Sequence, residues 1–316
     1  MIAGASIVQP ASELPIFVGR PNRLVYFGTP AMAVAPLRCL VAAGFTVACV
    51  VTGVDKRRGR GAELSPTPVG SAAHQLQIPV VHTVAESLAF GADLGVVVAY
   101  GKLIPATVLR TLPMINVHFS LLPRWRGAAP VERALLSGDA TTGVCIMALA
   151  EGLDIGPIYA VQEIMIDAQA TGDSLRADLV ELGSRMLVDG LMAGLPNPSP
   201  QIGHHTYAAK ITPDDLRLDL TRAASELDRV IRLGGAYTTW RSKRLRIHEA
   251  SVTNDSGSSG SINNDFGSPG SMSGDVMVCG EGGLRLIVVQ PEGKPKMNAA
   301  DWLRGIRFEQ TERLGS

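Results

Sequence analysis

Short apolar runs alternate with helix-like patterns over the first half of the chain. From Arg23 onward, residues 24–28 predict a buried strand, residues 31–43 a helix and residues 46–52 a second strand. The run at 93–100 is apolar almost throughout, as in strands at the centre of a parallel sheet. The pattern therefore predicts an α/β domain with a Rossmann-like, doubly wound, mostly parallel sheet.

The second half changes character after a segment rich in Pro and Gly. Residues 194–209 are expected to be a linker between a first domain at 23–193 and a second at 210–316. Short strand-like runs at 245–252, 274–279 and 284–290 predict a small β-barrel. Residues 254–273 are almost all Ser, Gly, Asn and Asp and are expected to be a mobile insertion. Residues 1–22 are expected to be a loose extension.

Composition narrows the function without deciding it. Lys plus Arg equals Asp plus Glu at 29 each, so a polyanionic partner has to be met by local basic clusters. The four cysteines lie far apart with no metal-ligand spacing, and no metal is expected. No apolar run reaches the roughly 20 residues that span a bilayer, and neither a membrane nor a signal peptide is indicated. We therefore expect a cytoplasmic location.

Residues 115–130 carry the strongest candidate chemistry. The end of an apolar run places Asn116 and His118 two residues apart, so in a strand both side chains project to the same side. Asn116 can donate a hydrogen bond to an oxygen that gains charge, and His118 can exchange protons near neutral pH. Structural roles for both residues stay open as the alternative.

Two further features follow predicted strands and so are expected at the same sheet edge. Asp154 lies between Gly152 and Gly156, where it is either a turn residue or the group that orients His118. The loop at 55–64 is flexible and basic, and it is either a solvated surface or a phosphate contact. Its basic residues are Lys56, Arg57, Arg58 and Arg60.

No Ser or Cys of the sequence lies in a nucleophile-elbow motif. The sequence contains neither G-x-S-x-G nor the dinucleotide fingerprint G-x-G-x-x-G. Direct acyl transfer between two bound substrates fits this set of residues, with the protein supplying position and charge stabilisation.

From about residue 23 to the C-terminus, the chain resembles the methionyl-tRNA formyltransferases of the 10-formyltetrahydrofolate-dependent formyltransferase family. The H-x-S-L-L-P core is common to the whole family, whereas the longer segments are more specific. The matching segments are F-G-T-P, G-R-G-x-x-L with P-T-P-V, V-V-A-Y-G-K-x-I-P, I-N-V-H-x-S-L-L-P-R-W-R-G-A-A-P, E-G-L-D-I-G-P-I, T-Y-A-x-K-I and Q-P-x-G-K-x-x-M-x-A.

The resemblance implies a formyl-transfer domain followed by a smaller OB-like barrel. It implies that Asn116, His118 and Asp154 are the catalytic residues. The reaction would move a formyl group from 10-formyltetrahydrofolate to the amine of methionine on initiator tRNA. Asn116 and protonated His118 would stabilise the tetrahedral oxyanion. The folate-contacting segment would be Ser120, Leu121, Leu122 and Pro123.

The resemblance also implies two contacts with tRNA. The basic loop would enter a groove of the acceptor arm, and the barrel would grip the arm from outside. Lys210 matches the lysine of the T-Y-A-x-K segment. A patch able to contact the tRNA backbone is supplied by Arg241, Lys243, Arg244 and Arg246. A monomer is expected.

Some features leave alternatives open. Phe119 stands where relatives often have a small residue, which indicates different folate packing. A formyltransferase for another amine, such as an amino-sugar nucleotide, shares H-x-S-L-L-P, although the basic loop and T-Y-A-x-K-I favour tRNA. A non-catalytic module that binds tRNA or folate is the alternative from another class.

Overall fold

The computed structural model describes residues 14–58, 63–253, 267–306 and 312–315. Chain contacts divide it into two compact units. The described residues of the first unit fall within Met1–Pro130, Thr141–Met165 and Arg176–Ala208, and those of the second within Val131–Ala140, Ile166–Leu175 and Ala209–Ser316. Two short segments before residue 176 thus join the second unit, whereas the sequence placed the whole of 23–193 in the first domain.

A seven-stranded sheet forms the first unit. Its order is β10-β9-β7-β6-β1-β2-β5, parallel from β5 to β7 and antiparallel at β9 and β10. The strands in this unit are β1 (Arg23–Gly28), β2 (Thr46–Val51), β3 (Lys56–Arg58), β4 (Glu63–Ser65), β5 (Val80–Val81), β6 (Leu94–Val98), β7 (Met114–His118), β8 (Arg126–Gly127), β9 (Thr141–Ala148), β10 (Ile158–Met165) and β11 (Tyr207–Ala208). The predicted doubly wound, mostly parallel sheet is confirmed.

Helix α2 (Pro68–Gln75) begins at a side-chain cap. The Thr67 hydroxyl accepts the N–H of Gly70 at 3.0 Å, and Pro68 takes the first helical position. The helices up to residue 193 are α1 (Val34–Ala42), α2 (Pro68–Gln75), α3 (Ala106–Leu109), α4 (Pro130–Ser137) and α5 (Gly172–Ala193), with 3-10 turns at Ala31–Ala33 and Ala85–Phe90.

The order of the strands reverses on either side of β1. Along the chain β2 and β5 lie on one side of β1, whereas β6 and β7 lie on the other. In open α/β sheets, ligands bind beyond the carboxyl ends of the strands at such a reversal. Strand β6 is buried along its whole length, and Gly95 in it leaves room for the Met114 side chain of β7. The buried core thus holds β7 rigidly at the edge where ligands bind.

A six-stranded antiparallel sheet forms most of the second unit. Its path is β12-β13-β16-β15-β14, with β17 added beside β16. The elements are α6 (Ala224–Leu233), β12 (Tyr237–Trp240), β13 (Lys243–Thr253), β14 (Met272–Ser273), β15 (Val276–Val278), β16 (Gly283–Pro291), β17 (Met297–Asn298) and α7 (Ala299–Gly305), with a 3-10 turn at Asp214–Leu216. This sheet confirms the predicted small β domain after the α/β domain.

Several local expectations need correction. Helix α3 is confined to Ala106–Leu109, because Gly101 adopts φ +75° and Pro105 stays extended. The basic loop is paired rather than flexible at its base, since Lys56–Arg58 and Glu63–Ser65 form a hairpin. The mobile insertion predicted at 254–273 lies mainly outside the described residues, which resume at 267 and include β14.

The N-terminal extension was also expected to be loose, and for residues 14–22 that expectation is wrong. Gly19 and Leu195 exchange two backbone hydrogen bonds of 2.8 Å, and the Tyr159 hydroxyl donates to the carbonyl of Phe17 at 2.9 Å. These bonds fix the segment to the first unit. Residues 1–13 lie outside the described residues.

Candidate active site

Strand β7 carries the two polar residues that the sequence singles out. It lies between β6 and β9, with Asn116 opposite Val97 and Met147. His118 is the last residue of the strand. Because side chains alternate along a strand, Asn116 and His118 project to the same face, at the carboxyl end of the parallel part of the sheet.

The imidazole of His118 is buried and held on both nitrogens. Nε2 lies 2.9 Å from the backbone carbonyl oxygen of Trp125. A carbonyl only accepts, so Nε2 carries a proton and donates it. Nδ1 faces Oδ2 of Asp154 at 3.7 Å, and the two side chains are 5% and 11% exposed. The carboxylate therefore lies where it stabilises an imidazolium.

Asp154 reaches that position from a tight loop between β9 and β10. Its backbone is in the left-handed region, with φ +50°. Oδ2 of Asp154 accepts the N–H of Gly127 at 2.8 Å. A Cβ on Gly156 would lie 1.9 Å from the carbonyl oxygen of Ala148, so only glycine fits there. This close approach is the physical reason for the second of the two glycines that flank Asp154.

Asn116 differs from its neighbours in β7. It is half-buried, whereas the four other residues of the strand are buried. Its side-chain amide makes no hydrogen bond to any of the residues that the structure describes. An amide with free donors and acceptors beside a buried imidazole is available to a ligand.

The Ser120–Pro123 segment turns back over the site. Ser120 is fully buried, and its hydroxyl donates to the carbonyl of Arg124 at 2.7 Å. Leu122 packs against Cys145 and Met147, and burial raises the pKa of the Cys145 thiol to about 11. Leu121 is half-buried, and the peptide between Leu122 and Pro123 is cis. In this arrangement Leu121 and Pro123 offer apolar surface to a ligand, and the Ser120 hydroxyl serves the turn.

Phe119 points away from His118, to the opposite face of the sheet. It is buried, and its ring lies where a Cβ on Gly183 of α5 would come within 3.3 Å. A Cβ there would also lie 2.9 Å from Val117. The absence of a side chain at Gly183 thus makes room for the ring. The expectation that Phe119 alters folate packing directly is not supported by this geometry.

The predicted tRNA-binding residues lie on hairpins and an exposed segment. Lys56, Arg57 and Arg58 form β3, and Arg60 lies outside the described residues. Exposed Lys210 offers its carbonyl to Arg133 at 3.3 Å.

The basic residues of the second unit cluster at the β12–β13 hairpin. Arg241 and Ser242 form its two-residue turn, both with positive φ, as in a type I′ turn. Arg241 pairs with Glu312 and stacks on Trp240, with 4.4 Å between the guanidinium carbon and the ring centre. Arg244 stacks on Tyr237 at 4.2 Å. Lys243, Arg244 and Arg246 are exposed.

Sequence reasoning missed two residues beside Asp154. The Gln201 amide donates to the carbonyls of Asp154 and Gly156 at 2.8 and 2.9 Å. Buried Arg126 donates two hydrogen bonds to the Gln201 oxygen, at 3.0 and 2.7 Å. Both lie in segments read as loop and linker. Arg126 belongs to the I-N-V-H-x-S-L-L-P-R-W-R-G-A-A-P motif, which was used only for the resemblance, and Gln201 carried no signal of its own.

Neither a metal-binding cluster nor a membrane-spanning helix is found in the part of the chain that the structure describes. No cluster of three or more His, Cys, Asp or Glu side chains there is arranged to hold a metal ion. None of the helices described there combines the length and the apolar character needed to cross a membrane.

Comparison with known proteins identifies two family models along the chain. The formyl transferase model matches residues 23–191, and the formyl transferase C-terminal domain model matches residues 210–307. A methionyl-tRNA formyltransferase from Magnetococcus marinus is 40% identical over 312 residues, covering 93% of this chain and 98% of the relative. One from Dinoroseobacter shibae is 39% identical, covering 90% and 97%.

Solved structures support the fold. An N-formyltransferase from Helicobacter canadensis, solved with folinic acid and dTDP-3-aminofucose, superposes with a TM-score of 0.61 at 14% identity, covering 87% of this chain and 99% of that one. HypX from Aquifex aeolicus, in complex with tetrahydrofolic acid, gives 0.60 at 14% identity, covering 90% and 47%. With both family models in order and relatives matched over nearly their whole length, the chain belongs to the methionyl-tRNA formyltransferase family.

Proposed function

We propose that the protein transfers the formyl group of 10-formyltetrahydrofolate to the α-amino group of methionine on initiator tRNA, giving N-formylmethionyl-tRNA for translation initiation. Membership of the family supports the assignment of this reaction, since relatives named for it match over nearly their full length. The observation that carries the site is the facing pair His118 and Asp154, with Asn116 on the same side of β7.

The residues present fit a folate co-substrate. When bound, the folate supplies the formyl carbon, which is the electrophile that the methionine amine attacks. Leu121 and Pro123 offer apolar contact for the flat ring system at the carboxyl edge of the sheet, and Leu122 backs them from the core. The amide of Asn116 has no partner among the described residues and so is free to meet a polar group there.

We assign to Asn116 the role of donating hydrogen bonds to the oxygen that gains negative charge as the amine adds to the formyl carbon. Its amide N–H groups donate without first breaking a hydrogen bond to a described residue, so little reorganisation precedes the reaction. The rigid core around β6 and β7 holds the amide in place, and this preorganisation makes such a donor worth about 100- to 1,000-fold in turnover.

We assign to His118 the role of exchanging a proton with the reacting groups. Its Nε2–H is donated to the Trp125 carbonyl, and a reacting oxygen or nitrogen competes for that same proton when substrates are present. A proton taken up on Nδ1 points at Asp154, whose carboxylate favours the charged imidazole. Asp154 thus acts on the charge and orientation of His118 rather than on substrate.

Basic residues are assigned to the tRNA. Lys56, Arg57 and Arg58 form one strand of a paired hairpin, and Arg60, which follows them in the chain, lies outside the described residues. The exposed cations at the β12–β13 hairpin suit phosphate contacts, because Lys and Arg displace the counterions of the backbone. Exposed Lys210 is a further candidate. With these assignments, a protein of zero net charge has local basic surfaces that can bind a polyanion.

Two broader properties accompany this function. The reaction needs one copy of each described catalytic residue, all within the first unit, so we infer a monomer. The substrate is an aminoacylated tRNA used in translation, so we infer a cytoplasmic location.

The decisive assay mixes purified protein, 10-formyltetrahydrofolate and methionyl initiator tRNA, and follows N-formylmethionine released from the tRNA. Production of formylmethionine is the expected result. Absence of product with tRNA, together with formylation of an amino-sugar nucleotide, contradicts the proposed acceptor. Full activity after replacement of His118 contradicts the proposed site.

A further inference from the structure

Gln201 forms a bridge between two segments of the active site. Its amide nitrogen donates to the carbonyl oxygens of Asp154 and Gly156, at 2.8 and 2.9 Å. Its amide oxygen accepts from Nε and Nη2 of Arg126, at 3.0 and 2.7 Å. All four hydrogen-bonding positions of one side chain are therefore satisfied within the first unit.

Arg126 determines which way the Gln201 amide faces. A guanidinium only donates, so the amide oxygen has to face Arg126 and the NH₂ group has to face the two carbonyls. Arg126 is 6% exposed, and in the described ranges no carboxylate forms an ion pair with it. Its backbone is fixed in turn, because its N–H donates to the Thr206 carbonyl at 2.9 Å. The buried guanidinium is thus committed to orienting this amide.

The loop that Gln201 holds carries a strained residue. Asp154 has φ +50°, in the left-handed region that residues with a Cβ enter at an energetic cost, although Asp enters it more readily than most. The Gly127 N–H fixes its carboxylate, and Gln201 fixes its main chain on both sides of Ile155. The carboxylate oxygen held in this way is the one that faces Nδ1 of His118.

We propose that Gln201, oriented by Arg126, is a positioning residue that fixes the Asp154 loop and thereby aims the Asp154 carboxylate at His118. It touches no reacting atom and acts through Asp154. The role of Asp154 in turnover rests on the proposed function, whereas the bracing of the loop stands on the hydrogen bonds alone.

The test uses Gln201→Glu in the full-length protein. Glutamate keeps the oxygen that Arg126 needs and the volume of the side chain, but replaces the two N–H donors by an oxygen that repels the carbonyls of Asp154 and Gly156. Turnover should fall about 10- to 100-fold, as small misplacements of catalytic groups do, while KM for folate and for tRNA stays within about 3-fold. The matched control is Gln162→Glu on exposed β10, which leaves turnover unchanged.

A double-mutant cycle separates positioning from general destabilisation. If Gln201 acts through Asp154, adding Gln201→Glu to Asp154→Asn changes turnover by less than about 3-fold, because the carboxylate is already lost. An effect as large as in the wild-type background overturns the proposal. Wild-type turnover in Gln201→Glu alone overturns it as well.

Hydrogen–deuterium exchange gives a readout that does not depend on catalysis. Gln201→Glu should speed exchange in a peptide covering residues 151–158 and leave a peptide covering β6 unchanged. Unchanged exchange at 151–158 overturns the proposal. Were the wild-type protein to make no formylmethionyl-tRNA, the proposed function would fail, and this measurement would still decide the role of Gln201.

Discussion

Nδ1 of His118 lies 3.7 Å from Oδ2 of Asp154, at the edge of the sheet where the parallel strands end. The other ring nitrogen of His118 donates to a main-chain carbonyl, so the imidazole has one orientation and one face toward the carboxylate. At this distance the Asp154 carboxylate gives a neutral imidazole little electrostatic stabilisation, whereas it forms an ion pair with an imidazolium inside a buried site. The relationship therefore predicts that Asp154 matters for the charged form of His118.

Replacement of Asp154 by Asn tests that relationship. The variant keeps the shape and can still accept the Gly127 N–H, but removes the negative charge. Turnover should fall at least about 100-fold with little change in KM, as expected when acid–base catalysis is lost. Asp178→Asn, at an exposed position of α5 in the same unit, is the control. Near wild-type turnover in the Asp154 variant contradicts the assignment.

Removal of the Asn116 amide should act on the transition state rather than on binding. Asn116→Ala loses the donor to the oxygen that gains charge, so turnover should fall about 100- to 1,000-fold. Dissociation constants for folate and tRNA, measured by titration, should stay nearly unchanged. The exposed Asn197 provides the control, because Asn197→Ala makes the same chemical change in a loop. A loss confined to folate binding would indicate a binding role only.

The basic hairpin should set the salt dependence of tRNA binding. Arg58→Ala with Arg60→Ala removes two cations, so affinity should drop and the slope of log K against log salt should flatten by up to about 2. The double variant Arg38→Ala and Arg185→Ala removes two exposed cations elsewhere and should keep the wild-type slope. Equal slopes for both double variants rule out phosphate contact by the hairpin.

Gly156→Ala should disturb both the fold and the site. Its Cβ would lie 1.9 Å from the Ala148 carbonyl, so the loop has to move. Overpacking of this kind costs about 1–3 kcal/mol of unfolding free energy, and the shift carries Asp154 with it, so turnover falls as well. Gly190→Ala is the control: its Cβ would come no closer than 3.8 Å to another side chain, and Ala suits its helix better. Wild-type stability in Gly156→Ala contradicts the predicted clash.

The pair Arg133 and Asp215 should make the second unit sensitive to acid. The hydrogen bond from Arg133, with those from Thr212, lowers the pKa of Asp215 to about 2. Because the folded-state pKa is lower than the ordinary value of 3.8, the stabilisation is complete above pH about 4 and is lost as pH falls toward 2. Asp215→Asn should therefore cost up to about 2 kcal/mol at pH 7 and less at pH 3.

Denaturant unfolding at several pH values measures this effect. Asp214→Asn, one residue away and exposed, should change the unfolding free energy by less than about 0.5 kcal/mol at every pH. A cost for Asp215→Asn that is independent of pH would mean that packing, not charge, is what the substitution removes.

Local sequence determined the elements with long or strongly apolar patterns. Residues 93–100 and 46–52 predicted β6 and β2 within two residues, because short continuous apolar runs rich in Val are typical of parallel strands buried on both faces. The spacing of Asn116 and His118 likewise fixed their common face, since that depends only on the alternation of a strand. The family motifs then named the reaction.

The tertiary structure determined which side chains and segments face each other. The local pattern placed Asp154 only at the same sheet edge as His118 and left its role open. The facing of the two side chains, the positive φ of Asp154 and the position of Gln201 between Arg126 and the Asp154 loop depend on contacts between segments distant in the chain. The same holds for the hairpin at the base of the basic loop and for the space that Gly183 leaves for the Phe119 ring. Sequence alone thus determined the fold class and the chemistry available, and the packing of distant segments determined how that chemistry is aimed.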